Sequence, residues 1–213
     1  MSVLPMFPLG SVLLPSAVLP LHVFEPRYRR LTEDCLEGVP EFGVVLIERG
    51  SEVGGGDQRT MVGTVARIVE AASFDDGRYA LGTVGVRRIK VLRWLDDDPY
   101  PRAEVEDWAD PEPGPGLVDA LASVTATLRR VLALSAELGA AAAPATVELS
   151  EDPVLASYQV VALAPLGPAD RQDLLAAPSA EARLVQVGGL LEEELTYLTR
   201  RLQLEATPPG DDE

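Results

Sequence analysis

Two hydrophobic periods divide the chain. Up to about residue 108 the apolar residues fall in short runs rich in Val, Ile and aromatics: VLPLHVF (18–24), FGVVLIE (42–48), TMVGTVARIVEAAS (60–73), RYALGTV (78–84), VRRIKVLRWL (86–95) and RAEVEDW (102–108). Such runs predict strands, because β-branched and aromatic side chains suit a pleated, half-buried surface. In RRIKVLRW, Ile89, Val91 and Trp94 mark the apolar positions among Arg88, Lys90 and Arg93. FDDGRY (74–79) puts Asp-Gly between two strands, a hairpin signal. GSEVGGGDQR (50–59) reads as a flexible loop, since consecutive glycines resist an ordered backbone. One helix is expected in this half, over about 26–37, with Pro26 in its first turn. Its spacing puts Tyr28, Leu31 and Cys35 on one face and Arg27, Arg30 and Asp34 on another.

Beyond DPEPGPG (110–116), whose prolines and glycines forbid both helix and central strand, the period becomes helical. Leu117, Leu121, Val124, Leu128, Val131 and Leu138 recur at helical spacing, a clean amphipathic stripe. A second helix is expected near Ser150–Pro153, with Ser150 as cap, and a short third one over PADRQDLLAA (168–177). A fourth runs from after Pro178–Ser179 to about Leu204, with Leu184, Val187, Leu191, Leu195, Leu198 and Leu202 on one face. Gly188–Gly189 lies within that helix at a cost of about 1 kcal/mol per glycine relative to Ala, which implies a kink or a close helix–helix contact. The expected class is therefore α+β. A mostly antiparallel β domain (1–109) and a Pro/Gly linker (110–116) precede a bundle of about four helices (117–205) and a disordered acidic tail (206–213).

Composition narrows the chemistry. The formal net charge is −16 and the pI about 4.4, the opposite of the cationic field that non-specific nucleic-acid or anionic-membrane binding requires. Acidic runs at 96–98, 104–112, 192–194 and 211–213 read as solvated surface. The Asp96–Asp98 run has the right hard ligands for a divalent ion, but adjacent strand residues alternate in direction and cannot all face one ion. A single cysteine, Cys35, and a single histidine, His22, leave no metal site and no internal disulfide to expect. Cys35 reads as a small buried hydrophobe. Phosphate-binding, dinucleotide and zinc-peptidase motifs are absent, as is a GxSxG nucleophile turn, so neither a cofactor nor catalysis is expected. With no run of about 18 apolar residues and no signal-peptide pattern, a cytoplasmic address is the default.

The densest chemistry is LPLHVFEPRYRRL (19–31), which sets His22 near Glu25, Arg27, Arg29 and Arg30. It reads either as the start of an active site built on His22 or as a strand-to-helix corner. On an extended strand His22 and Glu25, three positions apart, point to opposite faces, which favours the corner.

The whole opening, PMFPLGSVLLPSAVLPLHVFEPRYRRL (5–31), closely resembles that of the Lon protease N-terminal domain family, the substrate-binding module that precedes the ATPase in Lon and also occurs alone in bacteria. VGTVARIVEAASFDDGRYALGTVGVRRIKV (62–91) resembles the family's G(T)xAxI strand, Asp-Gly turn and GxxRxxV strand, and DPVLASYQVVALAPLGPADRQDLLAAPSAEARL (152–184) its helical part with an xxRQxLL restart. The resemblance implies a PUA-like β half, a helical C-terminal half, and a module that binds polypeptide substrates, degrons or a partner protein. The sequence as given carries neither the ATPase nor the Ser–Lys peptidase of Lon, so ATP-driven proteolysis is expected only from a partner acting in trans. The expected peptide-contacting edge combines Pro8, Leu9, Phe24, Arg27 and Arg30. The alternative is that the two arginines pair with Glu33, Asp34 or Glu37 on the surface. RNA binding through VGVRRIKVLRW (84–94), as PUA-like folds elsewhere do, is a second reading that the net charge opposes. The leucine stripe of the last helix suits a homodimer as well as a bundle core.

Overall fold

A computed structural model describes residues 2–49 and 58–206. The element order is β1(Ser2–Leu9), β2(Val18–Val23), α1(Pro26–Glu37), β3(Glu41–Arg49), β4(Gln58–Ser73), β5(Tyr79–Leu95), β6(Arg102–Asp107), α2(Leu117–Glu137), α3(Pro153–Leu163), α4(Pro168–Leu175) and α5(Ala180–Ala206). Most of the 50–59 loop and the tail beyond Ala206 lie outside the described residues. The elements form two compact units, Met1–Ala109 with Gly167–Ala176, and Asp110–Leu166 with Ala177–Glu213.

In the first unit six strands run in the order β2-β5-β4-β3-β1-β6, and β6 pairs again with β5. The sheet therefore closes on itself through five strands, while β2 lies alongside the first half of β5 as an edge. All pairs are antiparallel except β1–β3. The two runs expected at 78–84 and 86–95 are one strand, β5, whose outer side changes partner from β2 to β6 around Gly85. A Cβ at Gly85 would stand 2.3 Å from the Leu14 carbonyl oxygen, so only glycine lets the 13–17 segment lie against the strand. Thr64 Oγ1 holds the same segment by donating to the Leu13 carbonyl at 2.6 Å.

β1 was not expected from the sequence, because Pro5 and Pro8 argue against a central strand. Its first half, Ser2–Pro5, pairs only with β6, and its second, Met6–Leu9, only with β3. The β3 side of Ser2–Pro5, and the β6 side of β1 beyond Met6, whose amide still donates to the Pro101 carbonyl at 2.8 Å, carry no strand pairing, and that arrangement tolerates the missing N–H groups of Pro5 and Pro8. Alternation along β1 sends Met6 into one apolar cluster with Val65, Ile89 and Val105, and Phe7 and Leu9 into the other with Tyr28, Leu31 and Phe42.

Glu41 opens β3 as a nearly buried carboxylate, accepting from Arg67 Nη2 at 2.7 Å and Arg87 Nη1 at 2.6 Å. Burial alone would raise its pKa, but the hydrogen bonds and charges of Arg87 and Arg67 outweigh it and hold the carboxyl below its ordinary 4.5. A depressed carboxylate stabilises the fold above its unfolded pKa, and that contribution is lost as the pH falls through the folded value. Glu41→Gln is accordingly expected to be less stable than the natural protein at neutral pH, with the difference shrinking in denaturant titrations below pH 4.5. A difference constant with pH would refute this account.

The second unit holds α2, α3 and α5, with Leu117, Leu128, Val131, Val160, Leu184, Val187 and Leu191 at its core. The cap of α3 is Asp152, two residues past the expected Ser150: its side chain accepts from the Val154 and Leu155 amides. A Cβ on Gly188 would lie 3.3 Å from Val124 Cγ2, so this glycine serves a close approach of α5 to α2. α4, expected within the helical bundle, instead clusters with the strands. Gln172 Nε2 reaches the Val62 carbonyl at 3.1 Å, and Arg88 Nη1 reaches that of Leu175 at 2.8 Å. The 110–116 segment is anchored at both ends: Asp110 accepts from Arg183 Nη2 at 2.7 Å, and the Gly114 amide donates to Glu181 Oε1 at 2.7 Å.

Candidate functional site

The strand-to-helix corner encloses a cleft of about 210 Å³. β2 ends at Val23, and Pro26 biases Glu25 to an extended backbone (φ −68°, ψ 136°) before taking the first helical position itself. The chain thus turns through Phe24 and Glu25. Phe7 and Leu9 line the cleft from β1, His22 and Phe24 from β2 and the turn, and Tyr28 from α1. Phe7 and Tyr28 stack with centroids 4.0 Å apart, which seats α1 on the strands. Phe24 is 57% exposed, among the exposed large hydrophobic side chains of the protein.

Of the residues singled out from the sequence, Leu9 and Phe24 come together in this cleft. Arg27 lies beside it, its guanidinium 4.5 Å over the Tyr28 ring and its Nε 3.1 Å from Glu25 Oε2. Pro8 is buried and, by alternation, faces away from Phe7 and Leu9. Arg30 pairs with Asp34 at 2.7 Å and Glu33 at 3.8 Å on the exposed side of α1, the surface pairing that was the alternative for it. His22 and Glu25 line the same cleft rather than opposite faces. The alternation rule holds only along a strand, and the strand has ended before Glu25. Reading β1 as a strand would have revealed Phe7 as the partner of Leu9.

Cys35 is buried in α1, with Sγ 3.5 Å from the Glu41 carbonyl; burial, and secondarily the Asp34 charge, push its thiol up to about 12. Burial and the raised thiol both work against a nucleophilic thiolate here. Burial also raises Tyr100 to about 12, helped by the 2.7 Å hydrogen bond its hydroxyl donates to Asp34. Among the described residues no cluster of three or more His, Cys, Asp or Glu could hold a metal ion.

The basic residues of VGVRRIKVLRW have partners within the chain. Arg87 pairs with Glu41 and Asp107, and Arg93 pairs with Glu104. Arg88 is buried under Trp108, and Lys90 lies 3.8 Å over the same ring.

Residues 3–193 match the model of the ATP-dependent protease La (LON) substrate-binding domain. The chain belongs to this family. It is 31% identical to Lon protease of Anaeromyxobacter dehalogenans over 99% of this chain and 25% of that protein, and 30% identical to Lon protease 2 of Myxococcus xanthus over 98% and 26%. It thus spans about a quarter of the length of these curated relatives. Among solved structures, a Lon N-terminal domain protein from Xanthomonas campestris superposes with a TM-score of 0.62 at 31% identity, covering 88% of this chain and 97% of that one. The N-terminal domain of a Mycobacterium avium complex Lon protease shares the fold at a TM-score of 0.65 and 15% identity, covering 92% and 98%. No helix among the described residues is long and apolar enough to cross a membrane.

The motifs that carried the Lon resemblance are architectural. Gly63 lies so close to β3 that a Cβ would stand 2.2 Å from the Val44 carbonyl oxygen. Gly85 admits the 13–17 segment, Val91 is core, and Arg88 and Gln172 tie α4 to the barrel.

Proposed function

We propose that this chain is a non-catalytic polypeptide-recognition module that binds unfolded or degron-bearing proteins or a partner protein. The observation that carries this reading is the cleft beside β2: an apolar floor, an exposed Phe24 at its side, and an adjacent edge strand paired on one side only. An extended segment placed along the free side of β2 would gain main-chain hydrogen bonds while setting an apolar side chain into the cleft. Family membership supports the same reading. The internal pairing of Arg87, Arg88 and Arg93 weighs against RNA as the ligand.

Phe24→Asp tests it. Losing the aromatic contact is worth about 1.5–3 kcal/mol, so affinity for an unfolded, aromatic-rich client, read by fluorescence anisotropy, is expected to fall about tenfold or more. Phe24 is exposed, so the thermal transition should hardly move. Unchanged affinity would remove this cleft from the binding surface.

A further inference from the structure

α5 carries two apolar stripes, and its own unit uses one. Leu184, Val187, Leu191 and Leu198 are buried in the core of the second unit, so the leucine stripe read from the sequence is spent there. Leu190, Tyr197 and Leu204 form a second stripe at seven-residue spacing, about 120° around the helix from the first. Tyr197 is 58% exposed, Leu204 76%, and Leu190 partly so. Charges flank this stripe in opposite order at its two ends. Glu193 and Glu194 precede Tyr197 by four and three residues, and Arg200 and Arg201 follow it by three and four. Within one helix, ion pairs form between residues three or four apart. Glu193, Glu194 and Arg200 have no opposite charge at those spacings, and none of them makes an ion pair among the described residues. Of the four, only Arg201 pairs, with Glu205 at 3.0 Å. Gly189, beside Leu190, is also left over. Gly188 serves the approach to Val124, but a Cβ on Gly189 would meet nothing within 4 Å. Packing within the chain does not account for it, although glycine weakens a helix interior.

We infer that the Leu190–Tyr197–Leu204 face of α5 pairs with the same face of a second copy of this chain, antiparallel, with the twofold axis at Tyr197. Residues equally far before and after Tyr197 then lie opposite each other. Leu190 meets Leu204 of the second copy, and the two Tyr197 rings meet at the axis. On one flank Glu193 faces Arg200 of the second copy, on the other Glu194 faces its Arg201, and symmetry repeats each pair. Leu204 of the second copy falls over the hollow bounded by Gln186, Gly189, Leu190 and Glu193, where the bare glycine admits it. A parallel pairing would set glutamates against glutamates and arginines against arginines, so the order of charges selects the antiparallel one. This pairing is independent of whether the Phe24 cleft takes polypeptide.

Sedimentation velocity of the full chain over a wide concentration range is expected to show a monomer–dimer equilibrium that loosens as salt rises. Arg200→Glu sets like charges against each other at two symmetric places and should raise the dimer Kd about tenfold or more. Adding Glu193→Arg restores opposite charges and should return Kd to within about threefold of the natural value. Both residues are exposed, so the thermal transition should stay in place. Arg129→Glu, the same change of charge at an exposed site on α2, is expected to leave Kd unaltered. A chain that stays monomeric throughout, a dimer that Arg200→Glu does not weaken, or equal weakening by Arg129→Glu overturns the pairing. So does a Glu193→Arg/Arg200→Glu variant no tighter than Arg200→Glu, because the antiparallel register requires the rescue.

Discussion

Replacing Arg183 by methionine is expected to destabilise the second unit by about 3–5 kcal/mol, the cost of stranding a buried carboxylate. The Arg183 side chain is fully buried and that of Asp110 is 5% exposed. Arg183 Nη2 donates to Asp110 Oδ1 at 2.7 Å and Nη1 to Ser157 Oγ at 2.6 Å, while the guanidinium lies 3.6 Å over the Tyr158 ring. The Tyr158 hydroxyl donates to the other oxygen of Asp110. Methionine keeps much of the volume but leaves a buried carboxylate without its countercharge. Since single domains are stable by only about 5–15 kcal/mol, the loss would bring the unit close to unfolding. Adding Asp110→Asn removes the stranded charge and should recover a substantial part of the stability, read from urea unfolding followed by circular dichroism and from amide exchange in α2, α3 and α5. A double variant no better than the single one would show that lost packing, not the charge, sets the cost.

The second large effect is expected at Arg88. Its Nε donates to the Trp108 carbonyl at 3.0 Å and its Nη1 to the Leu175 carbonyl at 2.8 Å, with the guanidinium 3.9 Å over the Trp108 ring. Arg88→Met deprives two carbonyls of a charged donor, each worth about 1–3 kcal/mol, for a total of about 2–6 kcal/mol. Leu175 is the last residue of α4, so the loss should be local: amide exchange in 168–175 should accelerate well beyond that of β4, and Trp108 emission should shift as one of its two cationic neighbours leaves. Exchange in α4 that stays at the natural rate would mean that other contacts hold the helix.

Both residues show where pattern reading stops. Arg88 sits in a run of alternating basic and apolar positions that reads as a half-exposed strand, and Arg183 in the first turn of an amphipathic helix. Nothing local distinguishes either from its neighbours Arg87 and Glu181, which stay at the surface or partly so. Their burial depends on Leu175, 87 residues away, and on Asp110, 73 residues away. Asp110 itself reads as the first residue of an acidic, proline-rich linker.

The candidate cleft was legible in part. Leu9 and Phe24 could be named because apolar residues flank a Pro-marked corner, and the corner itself follows from Glu25–Pro26. Pro8 and Arg30 were grouped with them by proximity in sequence. The pleat of β1 and the ion pairs along α1 separate them.

The sequence by itself determined the local structure: where strands give way to helices, the start and end of α1, the Asp-Gly hairpin, the stripes of α2 and α5, and, through the glycine and arginine spacings, membership of the Lon substrate-binding family. These are short-range consequences of backbone sterics and side-chain period, and they need no knowledge of the partner surface. Only the tertiary structure decided that β1 pairs by halves with two different strands, that β5 closes the barrel, and that α4 joins the strands. It also decided which charges are spent inside the fold. Those outcomes rest on hydrogen bonds and burial between segments far apart along the chain, where the gain from a contact depends on what faces it and not on its own neighbours.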